Sequence, residues 1–171
     1  MLVYVGRPHK RKGFEIVLRI WSEYIHELHI NLVLCGPSIN DVQKYLSFVP
    51  PNVITLGFVN NIPEVLSGSD ALLLPSYHEG LSYACLESHA LGMLVIANDI
   101  PGIGDMINNG VTGFLVKNND IQKYVEYIRQ LDKNRVLFED IKQRALKNVK
   151  RFSREEFIPS YLSFLREVLL R

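Results

Sequence analysis

The sequence predicts an α/β domain built on a doubly wound parallel sheet of about six strands, and three observations carry that expectation. Short β-branched or apolar runs recur along the chain, and longer segments of helical periodicity separate them. The runs are also apolar on both sides rather than alternating. Strands hydrophobic on both faces belong in a parallel sheet covered by helices above and below, and regular strand–helix alternation marks βαβ units.

Taken in order, LVYV (2–5) precedes a helical segment over 13–28, and NLVLC (31–35) precedes one over 40–47. NVITL (52–56) leads to 62–67, ALLLP (71–75) to 81–91, and MLVIA (93–97) to a short helix over 103–108. GFLV (113–116) is the last strand, and helices over 121–131, 136–150 and 154–170 end the chain. Local signals agree. Asn61 with Glu64, and Ser153 with Glu156, have the cap-x-x-acid spacing that satisfies free N–H groups of a first helical turn. Asp120 is placed to cap 121–131, and Asp105 to cap the short helix. In the final segment Phe157, Ile158, Tyr161, Leu162, Leu165, Val168 and Leu169 recur at helical spacing. Core packing is expected for the first few, and exposure for Leu169 and Leu170.

At 171 residues with 47% hydrophobic content, the chain reads as one globular domain, 1–171, without repeats, low-complexity tracts or linkers. Lys+Arg (19) and Asp+Glu (18) nearly cancel, which argues against a nucleic-acid partner or an anionic membrane surface. Any basic site is therefore local. Cys35 and Cys85 sit inside apolar segments and cannot form the dense disulfide framework of a small secreted domain, so a reducing compartment is expected. The LVYV start lacks the basic region and length of a signal peptide, and no apolar run approaches the ~20 residues that cross a bilayer.

In a doubly wound sheet, ligands bind outside the carboxyl ends of the strands. The loop after the first strand, GRPHKRKGF (6–14), carries Arg7, whose fork suits phosphate oxygens, and Lys12, a compact charge just before a helix N-terminus. The pattern fits a diphosphate clamp; it also fits a solvated basic turn or a patch touching nucleic acid. Neither a dinucleotide fingerprint nor a P-loop is present. In YHEGLSYACLESHALG (77–92), Pro75 ends the fourth strand, Gly80 permits a tight turn, and the amides of Gly80, Leu81 and Ser82 would open the following helix. Glu79 and Glu87, separated by seven residues, suit vicinal hydroxyls: those of a hexose for Glu79 and of a ribose for Glu87. Each also fits a plainer role, Glu79 beside a positive helix end and Glu87 paired with a surface lysine. His78 and His89 read as scaffold residues, and Tyr77 and Tyr83 as packing residues. The loops GFVNN (57–61) and CGPS (35–38) allow close backbone approach and could border a flat heterocycle, while 98–116 reads as architectural.

The stretches VGRPHKRKG, ITLGFVNNIPEVLSGSDALLLPSYHEGLSYACLESHALG and NGVTGFLV, in that order, resemble the C-terminal, donor-binding half of family-4 GT-B glycosyltransferases, most closely those of bacterial capsule and lipopolysaccharide assembly. The resemblance spans nearly the whole chain. It implies a Rossmann-like sheet that is the C-terminal half of a GT-B fold, with extra C-terminal helices. It further implies a retaining transferase that takes a nucleotide sugar, by default a UDP-sugar, and passes the sugar to a glycan or lipid-linked acceptor. Arg7 and Lys12 match the pair holding the diphosphate, and Glu79 the acid near the transferred sugar; these are the implied catalytic residues. Gly80, Leu81 and Ser82 match the backbone donors, and Glu87 the ribose-binding acid.

Relatives usually carry an aromatic followed by Gly or Pro at Leu81–Ser82, Gly-x-Pro-Val at Gly92–Val95 and Glu at Asp105. The first departure bears most on sugar identity. No Asp-x-Asp pair or cluster of hard oxygen ligands is seen, so neither a metal nor another cofactor is expected. The resemblance also implies an acceptor domain preceding this one, little transfer by this chain alone, and a cytoplasmic enzyme whose absent half would decide any attachment to the inner membrane face. Two other classes remain open: a sugar-nucleotide epimerase of GT-B fold, and a non-catalytic nucleotide-sugar-binding domain.

Overall fold

The computed structural model describes residues 1–26 and 28–169; Leu170, expected to be exposed, lies outside them. Among the described residues the strands are β1 (Leu2–Val5), β2 (Leu32–Cys35), β3 (Val53–Gly57), β4 (Ala71–Leu74), β5 (Leu94–Asn98) and β6 (Phe114–Val116), all within two residues of the expected bounds. They form one parallel sheet in the order β3-β2-β1-β4-β5-β6. The order reverses between β1 and β4. That is the switch point at which a doubly wound sheet opens a crevice at its carboxyl edge.

Alternate residues of each strand feed two cores, which is why the runs are apolar throughout. Leu2 and Tyr4 of β1 join Phe14, Trp21, Tyr124 and Ile128 on one face, while Val3 joins Cys85, Ile103 and Met106 on the other. The exception is β3, where the expectation of two covered faces fails: Ile54 and Leu56 are 40% and 45% exposed. As the edge strand it has only one neighbour, and the helices of that face do not extend over it.

The helices are α1 (Phe14–Ile20), α2 (Ile39–Gln43), α3 (Ile62–Ser67), α4 (Tyr83–Ala90), α5 (Ile103–Met106), α6 (Ile121–Lys133), α7 (Glu139–Asn148) and α8 (Arg154–Leu169). The first helical segment is less uniform than its periodicity predicts. A 3₁₀ turn at Lys10–Lys12 precedes α1, and a π-helical turn at Trp21–Ile25 follows it, the wider turn setting both Trp21 and Ile25 fully into the core. The segment expected over 136–150 is likewise split, with 3₁₀ turns at either end of α7.

Two expected caps form, at Asp120, which accepts from the amides of Gln122 and Lys123, and at Ser153, which accepts from Glu156. Two do not. Asn61 turns its amide to the Glu64 carboxylate at 3.2 Å instead of capping the backbone of α3. At α5 the cap position belongs to Gly102, and Asp105 lies inside the first turn.

The largest correction concerns α8. Core packing was expected for Phe157, Ile158 and Tyr161, yet no residue of this helix is buried. The apolar spacing is real, but spacing fixes only a face and nothing among the described residues covers this one, so Phe157 and Tyr161 stack on each other in solvent at 5.7 Å. Leu169 is exposed, as expected.

Candidate active site

Glycines clamp the loops at the carboxyl edge of the sheet against one another. Gly13, at φ +65°, lies so close to the β4 exit that a Cβ there would sit 2.0 Å from the Pro75 carbonyl oxygen. Gly36, at φ +112°, approaches the Gly6 carbonyl equally closely, with a Cβ position 2.2 Å away. Gly102, at φ +85°, presses on the Gly80 and Glu79 carbonyls, 2.1 and 2.6 Å from its Cβ position. Backbone bonds complete the joints, from Tyr77 to the Arg11 carbonyl at 2.9 Å and from Gly6 to the Cys35 carbonyl at 3.0 Å. Small residues here are what allow the loops after β1, β2, β4 and β5 to touch. The close approach expected of CGPS is therefore seen, and the 98–116 loop supports the segment that carries Glu79.

This packing brings the first two acid–base partners together. Lys12 Nζ donates to Glu79 Oε1 at 2.6 Å, and the buried Ser76 hydroxyl donates to the same oxygen at 3.0 Å. The Glu79 side chain is only 10% exposed, so its charge is held by these two donors rather than by bulk water. Both contacts fall on Oε1. Among the described residues, no hydrogen bond reaches Oε2.

The remaining candidates fall around this pair. Arg7 follows the end of β1 with its carbonyl held by the Tyr4 hydroxyl at 2.8 Å, and its exposed guanidinium makes no ion pair among the described residues. Burial raises the Tyr4 phenol far above its usual range, with Glu15 and Glu79 adding to the shift, so it stays a neutral donor to that carbonyl. The helix after Glu79 begins at Tyr83, later than expected, because Ser82 is its cap and accepts from the Cys85 amide at 3.4 Å. Ser82 is buried and Leu81 half exposed. The amides of Gly80, Leu81 and Ser82 make no hydrogen bond among the described residues.

Glu87 is partly exposed on α4 and touches neither Lys12 nor Glu79. It borders a groove of about 440 Å³ whose other walls include Leu146, Val149, Lys150 and Phe152. Tyr83, expected to pack, is instead 72% exposed as the first residue of α4. His78 is exposed, whereas His89 is buried on the sheet side of α4, where desolvation lowers its pKa to about 4.

That burial gives a pH signature. Above the unfolded value of 6.5 the imidazole is neutral in both states; below it the unfolded chain takes up a proton that the folded chain refuses until about pH 4. Stability therefore falls with acidification across this window, by about 3 kcal/mol from this group. Urea denaturation between pH 4 and 7.5 should show a steeper decline for the wild type than for His89→Gln. Equal slopes would show that His89 is not the source.

Ser76, Asn98 and Asn119 are the site-forming residues that sequence reasoning missed. Asn98 Nδ2 donates to the Ser76 carbonyl at 3.0 Å, and its Oδ1 accepts from the Asn119 amide at 3.0 Å. The available signal was an amide residue directly after the apolar run of β5, where a buried polar side chain must find partners.

The sequence profile of the family described as glycosyl transferases group 1 matches residues 1–148, most of the chain. The chain belongs to this family. A glycosyltransferase named for capsular polysaccharide biosynthesis, CapM of Staphylococcus aureus, is 27% identical over 175 residues, covering 96% of this chain and 46% of its own length. A 41.2 kDa protein of the cps region of Klebsiella pneumoniae is 28% identical over 170 residues, with 96% and 46% covered. The chain thus spans about half the length of these curated relatives. Among solved structures, a glycosyltransferase from Rickettsia africae superposes with a TM-score of 0.85 at 22% identity, covering 98% of this chain and 47% of that one. Anabaena HepE in complex with UDP superposes at 0.75 with 19% identity, covering 88% and 43%. At these identities the superpositions establish a shared GT-B sheet.

Proposed function

We propose that this domain binds the diphosphate of a nucleotide sugar, by preference a UDP-sugar, for metal-independent, retaining transfer of the sugar to a glycan or lipid-linked acceptor in cell-surface polysaccharide synthesis. The carrying observation is the Lys12–Glu79 pair, formed across the loops after β1 and β4, next to the amides of Gly80, Leu81 and Ser82, which make no hydrogen bond among the described residues. In the proposal Lys12 and the exposed Arg7 take the two phosphates together with the amides of Gly80, Leu81 and Ser82. Glu79 Oε2 takes a sugar hydroxyl, and Glu87 the ribose.

As the glycosidic bond to the diphosphate breaks, charge gathers on the leaving phosphate and the anomeric carbon becomes cationic. In this reading Lys12, Arg7 and the three amides stabilise that charge as preorganised groups, and the Glu79 carboxylate serves the sugar side. Acceptor recognition belongs to a further domain in this reading, and with it the transfer reaction and any contact with the inner membrane face. HepE, whose structure contains UDP, and CapM, named for capsule synthesis, support the choice of UDP and of polysaccharide.

A panel of UDP, GDP, ADP and their hexose conjugates, followed by thermal shift and calorimetry, tests the reading. Saturable stabilisation by UDP-sugars, with no sugar transferred by the domain alone, is expected. Binding of none of the panel would overturn it.

A further inference from the structure

The donor reading accounts for Lys12 and Glu79 but leaves open what holds the Ser76–Gly80 segment at the distance their contact requires. Loop 75–80 has no regular structure of its own, and its backbone is held by the close approaches of Gly13 and Gly102 and by the Tyr77 amide donating to the Arg11 carbonyl. A further anchor is a side chain. Asn98, the last residue of β5, is 4% exposed and uses both ends of its amide: Nδ2 holds the Ser76 carbonyl, and Oδ1 holds the Asn119 amide.

Asn119 is itself an unusual anchor, a non-glycine residue at φ +51°. It is buried, with its Oδ1 receiving the Tyr124 hydroxyl at 3.4 Å, and Tyr124 is fully buried in the core on α6. A continuous chain of hydrogen bonds thus runs from the core through Asn119 and Asn98 to Ser76. The Ser76 hydroxyl completes it by donating to Glu79 Oε1, the oxygen that Lys12 also grips.

We propose that Asn98 is a positioning residue for the donor site, acting through Ser76 to set the place of Glu79 and, with it, of Lys12. The inference rests on the donor-binding reading above. Asn98 touches neither Glu79 nor the exposed surface, and its geometry uses donor and acceptor at once. Aspartate keeps the acceptor toward Asn119 but sets a carboxylate against the Ser76 carbonyl; serine is too short to span both partners.

Asn98→Asp and Asn98→Ser separate this role from plain destabilisation. In the ligand-free protein, hydrogen exchange at the amides of 76–80 should accelerate at least tenfold in either variant, with β1 and β2 unchanged. UDP affinity, measured well below the melting temperature, should fall about tenfold. In the Lys12→Ala background the same Asn98 substitution should cost less than threefold, because the contact it positions is already gone. A core variant remote from the loop, Leu131→Ala, should leave both readouts at wild-type values. Uniformly faster exchange, unchanged UDP affinity or strictly additive losses with Lys12→Ala would each overturn the assignment. Wild-type protein that fails to bind UDP while 76–80 exchange responds as stated would overturn the donor reading instead and leave Asn98 as the anchor of this loop.

Discussion

Gly102→Ala should be among the most damaging single substitutions in this domain, costing about 3 kcal/mol or more and displacing the peptide between Glu79 and Gly80. Two effects combine. The residue has φ +85° and ψ −48°, a backbone conformation that an L side chain adopts only with strain of about 1–3 kcal/mol. Its added Cβ would also lie 2.1 Å from the Gly80 oxygen and 2.6 Å from the Glu79 oxygen, and backbone atoms cannot swing aside as a side chain can. Overpacking of that kind costs about 1–3 kcal/mol in its own right.

Gly57 separates the two effects, because it too has a positive φ, +61°, but nothing lies within 4 Å of its Cβ position. Gly57→Ala should therefore cost about 1 kcal/mol. Denaturant titration of both variants, with UDP-hexose calorimetry on whichever remains folded, checks the comparison. If Gly102→Ala proves no worse than Gly57→Ala, the β5 loop does not support the Glu79 segment.

Gly102 also shows where sequence reasoning stopped. The βαβ order and the six strands were legible because in every strand but β3 the two faces enter two different cores, leaving a run that does not alternate with polar residues. Coverage was not legible from the run itself. NVITL reads like its neighbours, yet its place at the sheet edge leaves Ile54 and Leu56 open, and place in the sheet follows from strand order rather than composition. The spacing in α8 likewise predicted an amphipathic face without saying whether anything faces it.

At the site, Lys12 and Glu79 stood out because both follow strands at the carboxyl edge of a doubly wound sheet, where ligands bind. Their mutual contact, 67 positions apart in sequence, depended on Gly13, Gly36 and Gly102, whose close approaches leave no trace in spacing. Asn98 and Ser76 were missed for a related reason. A small polar residue next to an apolar strand reads as its end, and only the fold shows that the two side chains lock a loop.

The Lys12–Glu79 contact distinguishes a diphosphate site from a structural ion pair by how its two halves respond to substitution. Lys12→Ala should weaken UDP binding by about 1–3 kcal/mol, the cost of a lost charge-assisted contact, which is a factor of about 5 to 150 in Kd. It should also destabilise the protein by on the order of 1–3 kcal/mol, since the Glu79 carboxylate keeps its burial and loses its cation. Glu79→Gln acts on the same pair from the other side. It releases the Lys12 ammonium from a competing carboxylate at 2.6 Å, so UDP, which carries no sugar, should bind as well as before or a few-fold more tightly. A UDP-hexose should lose affinity, because the oxygen left free by Lys12 and Ser76 is the one assigned to the sugar.

Opposite responses of one nucleotide to the two halves of one ion pair are not expected of a contact that only staples two loops. That arrangement would weaken binding in both variants in proportion to the stability lost. Calorimetric titration of UDP and UDP-glucose into wild type, Lys12→Ala and Glu79→Gln separates the two cases. Parallel losses of UDP affinity in both variants would reduce the pair to a structural role.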